Sequence, residues 1–352
     1  MIKIDQYDEN YTYQVELIRM SDVRPEEVAW LWNPYIPLGK ITILQGDPGM
    51  GKTYLATRIA ALVTTGCVFP YGDKTGTVPG NGSVIFQTAE DRLGDTIRLR
   101  LEEAGADLDK IYIIDESRES LTLDDIRLRE AMSVICPKLV VIDPLQAYLG
   151  SEVDMHRANE IRPVMSRLAN LASDYGCAVI LIGHQNKSNG GKNIYRGLGS
   201  IDIAASARSV LAVGETPGDK YRRAVVHIKS SLAPSGKTVL YELDPSLGFL
   251  WAGTSELTAD DVLNPGSGGD TTEKEDCVEF LKELLTNGAL PAGEVYEATE
   301  ANGFSKRTVE RAKEKVGIIS KKEKGKDGKW IWELKERHIT HTGDVGVLGD
   351  VI

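Results

Sequence analysis

The stretch ITILQGDPGMGKT, residues 41–53, decides how the rest of the chain is read. An apolar run, ITIL, gives way to GDPGMGKT, which fits the spacing GxxxxGK[ST] in full with Gly46, Gly51, Lys52 and Thr53. That spacing carries a mechanism when a strand precedes it and a helix follows. Glycine permits the tight backbone path that turns N–H groups toward a phosphate. The new helix offers its positive end to the same anion. Gly46, Asp47, Pro48, Gly49, Met50, Gly51, Lys52, Thr53 and Tyr54 are therefore expected to cradle ATP. Lys52 reaches the β- and γ-phosphates, and Thr53 sets its hydroxyl on Mg²⁺.

Further apolar runs recur downstream: SVIFQT (83–88), KIYIID (110–115), LVVID (139–143) and AVILIG (178–183). Helix-like segments separate them, starting at Lys52, near Arg92, at 121–135 and at 156–175. Fully apolar strands alternating with helices predict an α/β fold with a parallel sheet covered on both faces. SVLAVG (209–214), RAVVHIKSS (223–231) and KTVLYELD (237–244) predict an antiparallel extension of that sheet. Pro163 marks the first turn of the 156–175 helix or a kink in it.

Strand ends are where ligands bind in such sheets, and the polar residues there are the site candidates. Asp143 ends LVVI just before Pro144, whose ring keeps it extended; it is expected to hold Mg²⁺ through water. Glu90 and Asp91 follow the run at 83–88. Asp91 is placed to cap the helix from Arg92, which leaves Glu90 to orient and deprotonate the attacking water. Alternatively both carboxylates serve the helix terminus. His184 and Gln185 follow AVILIG and either contact the γ-phosphate or form a satisfied structural pair.

The chain has 352 residues, enough for two domains or for one with an appendage. Its 41% apolar and 26% charged content is that of a water-soluble protein. The longest apolar runs are too short to span a bilayer, and MIKIDQYDEN does not resemble a signal peptide, so a cytoplasmic location without membrane contact is expected. Cys67, Cys136, Cys177 and Cys277 are scattered and are expected to be small buried hydrophobes. His338 and His341 are assigned to a solvated tail. A net charge of −11 argues against a protein that coats duplex DNA with its whole surface.

NPGSGGDTT (264–272) has the composition of a linker. Beyond it, Thr272 and Glu275 fit a capping box, and Cys277, Phe280, Leu281, Leu284 and Leu285 form an apolar stripe. A short helix at 291–302 follows, then one capped by Ser305 with Val309, Ala312 and Val316 inward, then a hairpin turned at Asp327-Gly328. The expected division is an N-terminal arm (1–21), an ATPase domain (22–255), a linker (256–272), a winged helix-turn-helix domain (273–336) and a flexible tail (337–352).

Taken together, RPEEVAWLWNPYIPLGKITILQGDPGMGKT (24–53), FQTAEDRLGDTIRLRLEEAG (86–105), LVVIDPLQAYLG (139–150) and LIGHQNKSNGGKNIYRGLGSIDIAASARSVLAVG (181–214) resemble the RecA-like ATPases typified by the RepA plasmid replicative helicase. DnaB-type helicases and KaiC are more distant relatives of that group. The resemblance covers most of 22–255. It implies a RecA-like P-loop core and a hexameric, Mg²⁺-dependent ATPase that moves on single-stranded DNA in replication of a plasmid, phage or mobile element. It also implies Glu90 as catalytic base, His184 as γ-phosphate sensor and Arg208 as arginine finger. Where DnaB-type helicases carry a Lys-x-Arg pair on a late strand, HIKSS has only Lys229.

Arg208 ends a line of small residues, and two roles stand open for it. Donated by a neighbouring copy, it would meet charge developing on the γ-phosphoryl group, with Ala204, Ala205, Ser206 and Ala207 allowing close approach. Kept within the chain, it would pair with a carboxylate. The acid-free window 175–201 places Lys187, Lys192 and Arg196 among Gly, Ser and Asn, with Tyr195 able to stack. This suits a loop that tracks single-stranded DNA or else covers the nucleotide. Residues 305–330 carry ten basic side chains, Lys306, Arg307 and Arg311 among them, against four acidic ones. Duplex DNA or a protein partner fits that face. The expected function is a DNA helicase or translocase; the alternative is an ATP-switched DNA-binding regulator without unwinding activity. A P-loop kinase for a small molecule would not call for the basic module.

Overall fold

A computed structural model of the chain describes residues 2–8, 11–72, 81–151, 153–155, 157–184, 201–244, 246–263, 271–286, 288–322 and 330–334. The chain divides into two units, Met1–Pro265 and Gly266–Ile352.

In the first unit, β1 (Ile2–Asp8) and β2 (Tyr11–Leu17) form an antiparallel hairpin where the sequence suggested only an arm. β3 (Trp30–Trp32) and β4 (Ile36–Pro37) pair briefly ahead of β5 (Ile41–Gly46). Helix α1 (Lys52–Thr65) follows and stops at Gly66, whose φ of 72° suits glycine. β6 (Val84–Thr88) leads through one wide π-turn, Leu93–Ile97, into α2 (Arg98–Glu103). Then come β7 (Ile111–Tyr112), α3 (Ile126–Ile135), β8 (Leu139–Asp143), α4 (Ala158–Asp174), β9 (Ala178–His184) and α5 (Ile201–Ser206). β10 (Ser209–Thr216), β11 (Asp219–Ser230), β12 (Thr238–Asp244), β13 (Gly248–Ser255) and α6 (Ala259–Leu263) complete the unit.

Among the described residues the main sheet has nine strands in the order β13-β12-β11-β10-β5-β9-β8-β6-β7. From β10 to β7 every neighbour pair is parallel; from β10 to β13 every pair is antiparallel. SVLAVG is therefore the junction strand, antiparallel to β11 as expected and parallel to β5 on its other side. It hydrogen-bonds β5 along Ser209↔Thr42 to Ala212↔Gln45. The extension instead gains β13, whose half-exposed residues carry no clean period-two signal.

Alternation along the buried strands feeds two cores. Leu44, Phe86 and Val141 meet Leu55, Ile59 and Val63 of α1 on one face. Ile43, Ile85 and Val140 meet Leu128 of α3 and Leu168 of α4 on the other. Helix α4 buries Ile161, Val164, Met165, Leu168, Leu171 and Ala172, a single stripe at helical spacing. Pro163 lies within its second turn, not its first.

Several boundaries differ from expectation for visible reasons. KIYIID pairs only over Ile111–Tyr112, because the Gln87 side-chain amide takes over the backbone of Ile114, accepting from its N–H and donating to its C=O at 3.0 Å each. Helix α3 starts at Ile126, since Asp125 accepts from the Arg127 N–H at 2.8 Å and caps it there. Residues 256–263 belong to the first unit rather than to a linker: Val262 of α6 is buried against Ala224 and Val226. Cys177 and Cys277 are buried as expected, but Cys67 and Cys136 are exposed.

The second unit consists of α7 (Thr271–Thr286), β14 (Leu290–Pro291), α8 (Ala292–Ala301), α9 (Lys306–Val316), β15 (Ile318–Lys322) and β16 (Trp330–Leu334). Thr272, expected to open this helix as its cap, lies inside α7, one residue past its start. Ser305 does cap α9, accepting from the Thr308 N–H at 3.2 Å. Cys277, Leu281, Leu285, Val295, Val309, Ala312 and Trp332 make a separate core. β16 is the centre of a three-stranded antiparallel sheet, flanked by β14 and β15. The turn expected at Asp327-Gly328, together with His338 and His341, lies outside the described residues.

Candidate active site

The C-terminal ends of the parallel strands gather most of the candidates. Between β5 and α1 the chain turns through Gly49 and Gly51, with φ of 79° and 83°. At Gly46 a Cβ would stand 2.4 Å from the Val213 carbonyl oxygen, and at Gly51 it would stand 2.6 Å from Leu243 Cδ1. Gly46 is thus demanded by packing against β10, and Gly51 both by packing against β12 and by backbone path. Lys52 is 5% exposed, and its ammonium donates to the carbonyls of Gly46 at 2.8 Å and Asp47 at 2.9 Å. Burial lowers its pKa from the usual lysine value, while Asp143, Glu90 and Asp47 oppose the shift.

Thr53 Oγ1 donates to Asp143 Oδ2 at 2.7 Å. Asp143, 3% exposed, is the Cα partner of Thr88 across β8 and β6. Thr88 Oγ1 is buried and has no hydrogen-bond partner among the described residues. His184 closes β9 with its backbone in register with Gly46. Gln185, Lys187, Lys192, Tyr195 and Arg196 lie outside the described residues.

Asp91 does not cap the following helix. Its carboxylate takes Arg100 Nη1 at 2.6 Å, and the same guanidinium covers the Tyr54 ring at 4.7 Å. Arg92 occupies the cap position without a side-chain bond. A half-buried ion pair backed by an aromatic face has displaced the local cap. Tyr54 thereby links α1 to α2.

Arg208 sits at the other end of the sheet. Its backbone N–H donates to the carbonyl of Ile41, the first residue of β5, whereas Gly46 is the last. At about 3.3 Å per residue that separates the two strand ends by roughly 17 Å. The side chain is exposed and has no carboxylate partner among the described residues. Of the four small residues before it, Ala204 and Ala207 face the core, which leaves Ala205 and Ser206 toward the surface. Lys229 donates to the carbonyls of Ala204 at 2.8 Å, Ala205 at 3.3 Å and Ala207 at 2.8 Å, closing the C-terminal end of α5. Its pKa is lowered by burial and by neighbouring Arg208.

Two contributions to the site had no local signature in the sequence. The Tyr241 hydroxyl of β12 lies 3.2 Å from the Met50 carbonyl and 3.3 Å from that of Gly51, holding the phosphate loop from behind. On the opposite face of β6, Gln87 donates to Glu116, and Tyr148 donates to the same carboxylate at 3.1 Å. The one hint of the second was a glutamine within an apolar strand.

Residues 9–190 match the model of the AAA domain family. This chain belongs to that family, a group of RecA-like P-loop ATPases. The match stops short of Arg208 and of the second unit. The chain is 29% identical over 155 residues to the DNA repair protein RadA of Mycolicibacterium smegmatis, covering 42% of this chain and 29% of that protein. It is 24% identical over 171 residues to RadA of Listeria monocytogenes, covering 48% and 33%. It thus spans about a third of the length of these relatives. Among solved structures, a KaiC-like protein from Pyrococcus horikoshii is 19% identical, with a TM-score of 0.45, over 65% of this chain and 99% of that one. No described helix is long and apolar enough to cross a membrane.

Proposed function

We propose that this AAA-family protein is a Mg²⁺-dependent ATPase whose catalytic site is completed by a second copy and whose turnover drives movement on single-stranded DNA. Lys52 and the loop N–H groups bind the phosphates. Thr53 and Asp143 offer a hydroxyl and a carboxylate, the hard oxygen donors that suit Mg²⁺, and the two groups already lie 2.7 Å apart. When bound, the cation supplies charge neutralisation at the phosphates. Glu90 orients and deprotonates water, and His184, beside Gly46, reports on the γ-phosphate.

One observation carries the trans arrangement: Arg208 is exposed, unpaired among the described residues and a strand's length from its own phosphate loop. In this position it serves a neighbour's nucleotide rather than its own. Such a finger contributes about 10³–10⁵ in rate, or roughly 4–7 kcal/mol of barrier. A hexameric ring is the assembly proposed, with Lys187, Lys192 and Arg196 on the DNA strand. The DNA-repair naming of the RadA relatives is consistent with a DNA substrate.

The second unit favours a second reading. Its order, helix–strand–helix–helix–strand–strand, with β14 and β16 paired, supports reading it as a winged helix-turn-helix. Lys306, Arg307 and Arg311 on α9 are the proposed duplex contacts. ATP-switched DNA binding without unwinding follows if that unit reads a site. An ATPase assay with single-stranded, duplex and no DNA separates the two. Several-fold stimulation by single strands supports the translocase. No stimulation, with selective binding of one duplex sequence, supports the switch.

A further inference from the structure

We propose that Thr88 is a positioning residue for magnesium, its hydroxyl hydrogen-bonding a water of the cation's hydration shell alongside Asp143; this rests on the ATPase reading above. Paired residues in a parallel ladder point to the same face. Val84 with Leu139, and Phe86 with Val141, turn together into the core beneath α1. Two residues on, Thr88 and Asp143 are the next pair of that series, and the Thr53 bond to Asp143 confirms the direction. Adjacent strands lie about 4.8 Å apart, so the Thr88 hydroxyl belongs beside the carboxylate that Thr53 engages.

That hydroxyl is buried and has no hydrogen-bond partner among the described residues, although a buried hydroxyl is costly to leave unsatisfied. Valine has the same shape and suits a strand better. An orphaned hydroxyl beside a magnesium-binding carboxylate is therefore a stability cost kept for a partner that arrives with the nucleotide. Partners one shell out from a metal typically alter its affinity 10- to 100-fold.

The test is thermal melting of the full chain with a non-hydrolysable ATP analogue, titrated with MgCl₂ after EDTA treatment. For Thr88→Val we expect a nucleotide-free Tm equal to or above that of the parent, and an unchanged Tm gain from the analogue in EDTA. The Mg²⁺ midpoint should rise about tenfold or more, and Thr88→Ser should restore it. An unchanged Mg²⁺ midpoint in Thr88→Val overturns the proposal. So does a nucleotide-free Tm that falls, because the hydroxyl would then have a structural role. If Thr88→Val does not fold, Thr88→Ala takes its place against Thr88→Ser, and equal Mg²⁺ midpoints in that pair count against the idea. Failure of the ATPase reading looks different: the parent itself would show no Mg²⁺-dependent gain.

Discussion

His227 shows how one side chain can set the pH range of the fold. It is 6% exposed on β11. Its Nδ1 accepts from the Gly236 N–H at 3.2 Å, so the proton of the neutral ring sits on Nε2, facing the Ser209 hydroxyl at 3.1 Å. The Ser209 hydroxyl in turn donates to the Tyr35 carbonyl at 2.6 Å. A second ring proton would disrupt this chain of bonds, and burial lowers the pKa from 6.5 to about 4. The unfolded chain then binds more protons than the folded one between those values, so stability rises with pH across that window. The contribution is complete above about pH 6.5 and lost as pH falls toward 4, with an upper size of about 3 kcal/mol. Denaturant melts of the parent from pH 7 to pH 4 should show this loss, and His227→Gln should flatten much of it. An acid slope equally steep in both proteins would assign the effect to other groups.

At the level of elements, the antiparallel extension is a brace for the phosphate loop. Tyr241 stacks on Phe249 at 4.7 Å and points its hydroxyl at the carbonyls of Met50 and Gly51. Tyr241→Phe keeps the stack and loses the bond. It should cost about 1 kcal/mol in stability and raise the KM for ATP several-fold, with kcat little changed, because the loop is loosened while Glu90 and Asp143 stay in place. A kcat that falls with KM constant would show that the brace acts on chemistry instead. Gly51→Ala is a harsher test: the added Cβ meets Leu243 at a residue with positive φ, so nucleotide binding should be lost. These dependencies explain what the sequence could disclose. The loop, its strand and its helix are contiguous, so spacing alone revealed them; likewise Thr53 and Asp143 each end or begin a readable element. Tyr241 stands 191 residues from Met50 and resembles any strand tyrosine. Asp91 looked like a cap because local spacing says nothing of Arg100, which reaches back from the next helix. The parallel pairing of β10 with β5, on the side away from its expected antiparallel partner β11, was not legible because apolar alternation is blind to strand direction.

For the whole molecule, the decisive geometry is that one copy carries its phosphate loop and Arg208 at opposite ends of the same strand pair. In the proposed head-to-tail ring the two ends of successive copies would come together, and each interface would need one group from each side. Lys52→Ala and Arg208→Ala should each be inactive alone, for different reasons: the first loses phosphate binding, the second keeps it and loses turnover. Mixed in equal amounts and allowed to reassemble, they form some interfaces that pair an intact Lys52 with an intact Arg208. With random order and independent sites, activity should return to roughly a quarter of the parent's. Turnover per chain in the parent should also fall on dilution below the assembly concentration. A mixture no more active than its components, from proteins shown by native mass measurement to co-assemble, would place the arginine outside the reaction. Recovery near one quarter would fix the neighbour's Arg208 as the residue that completes the site.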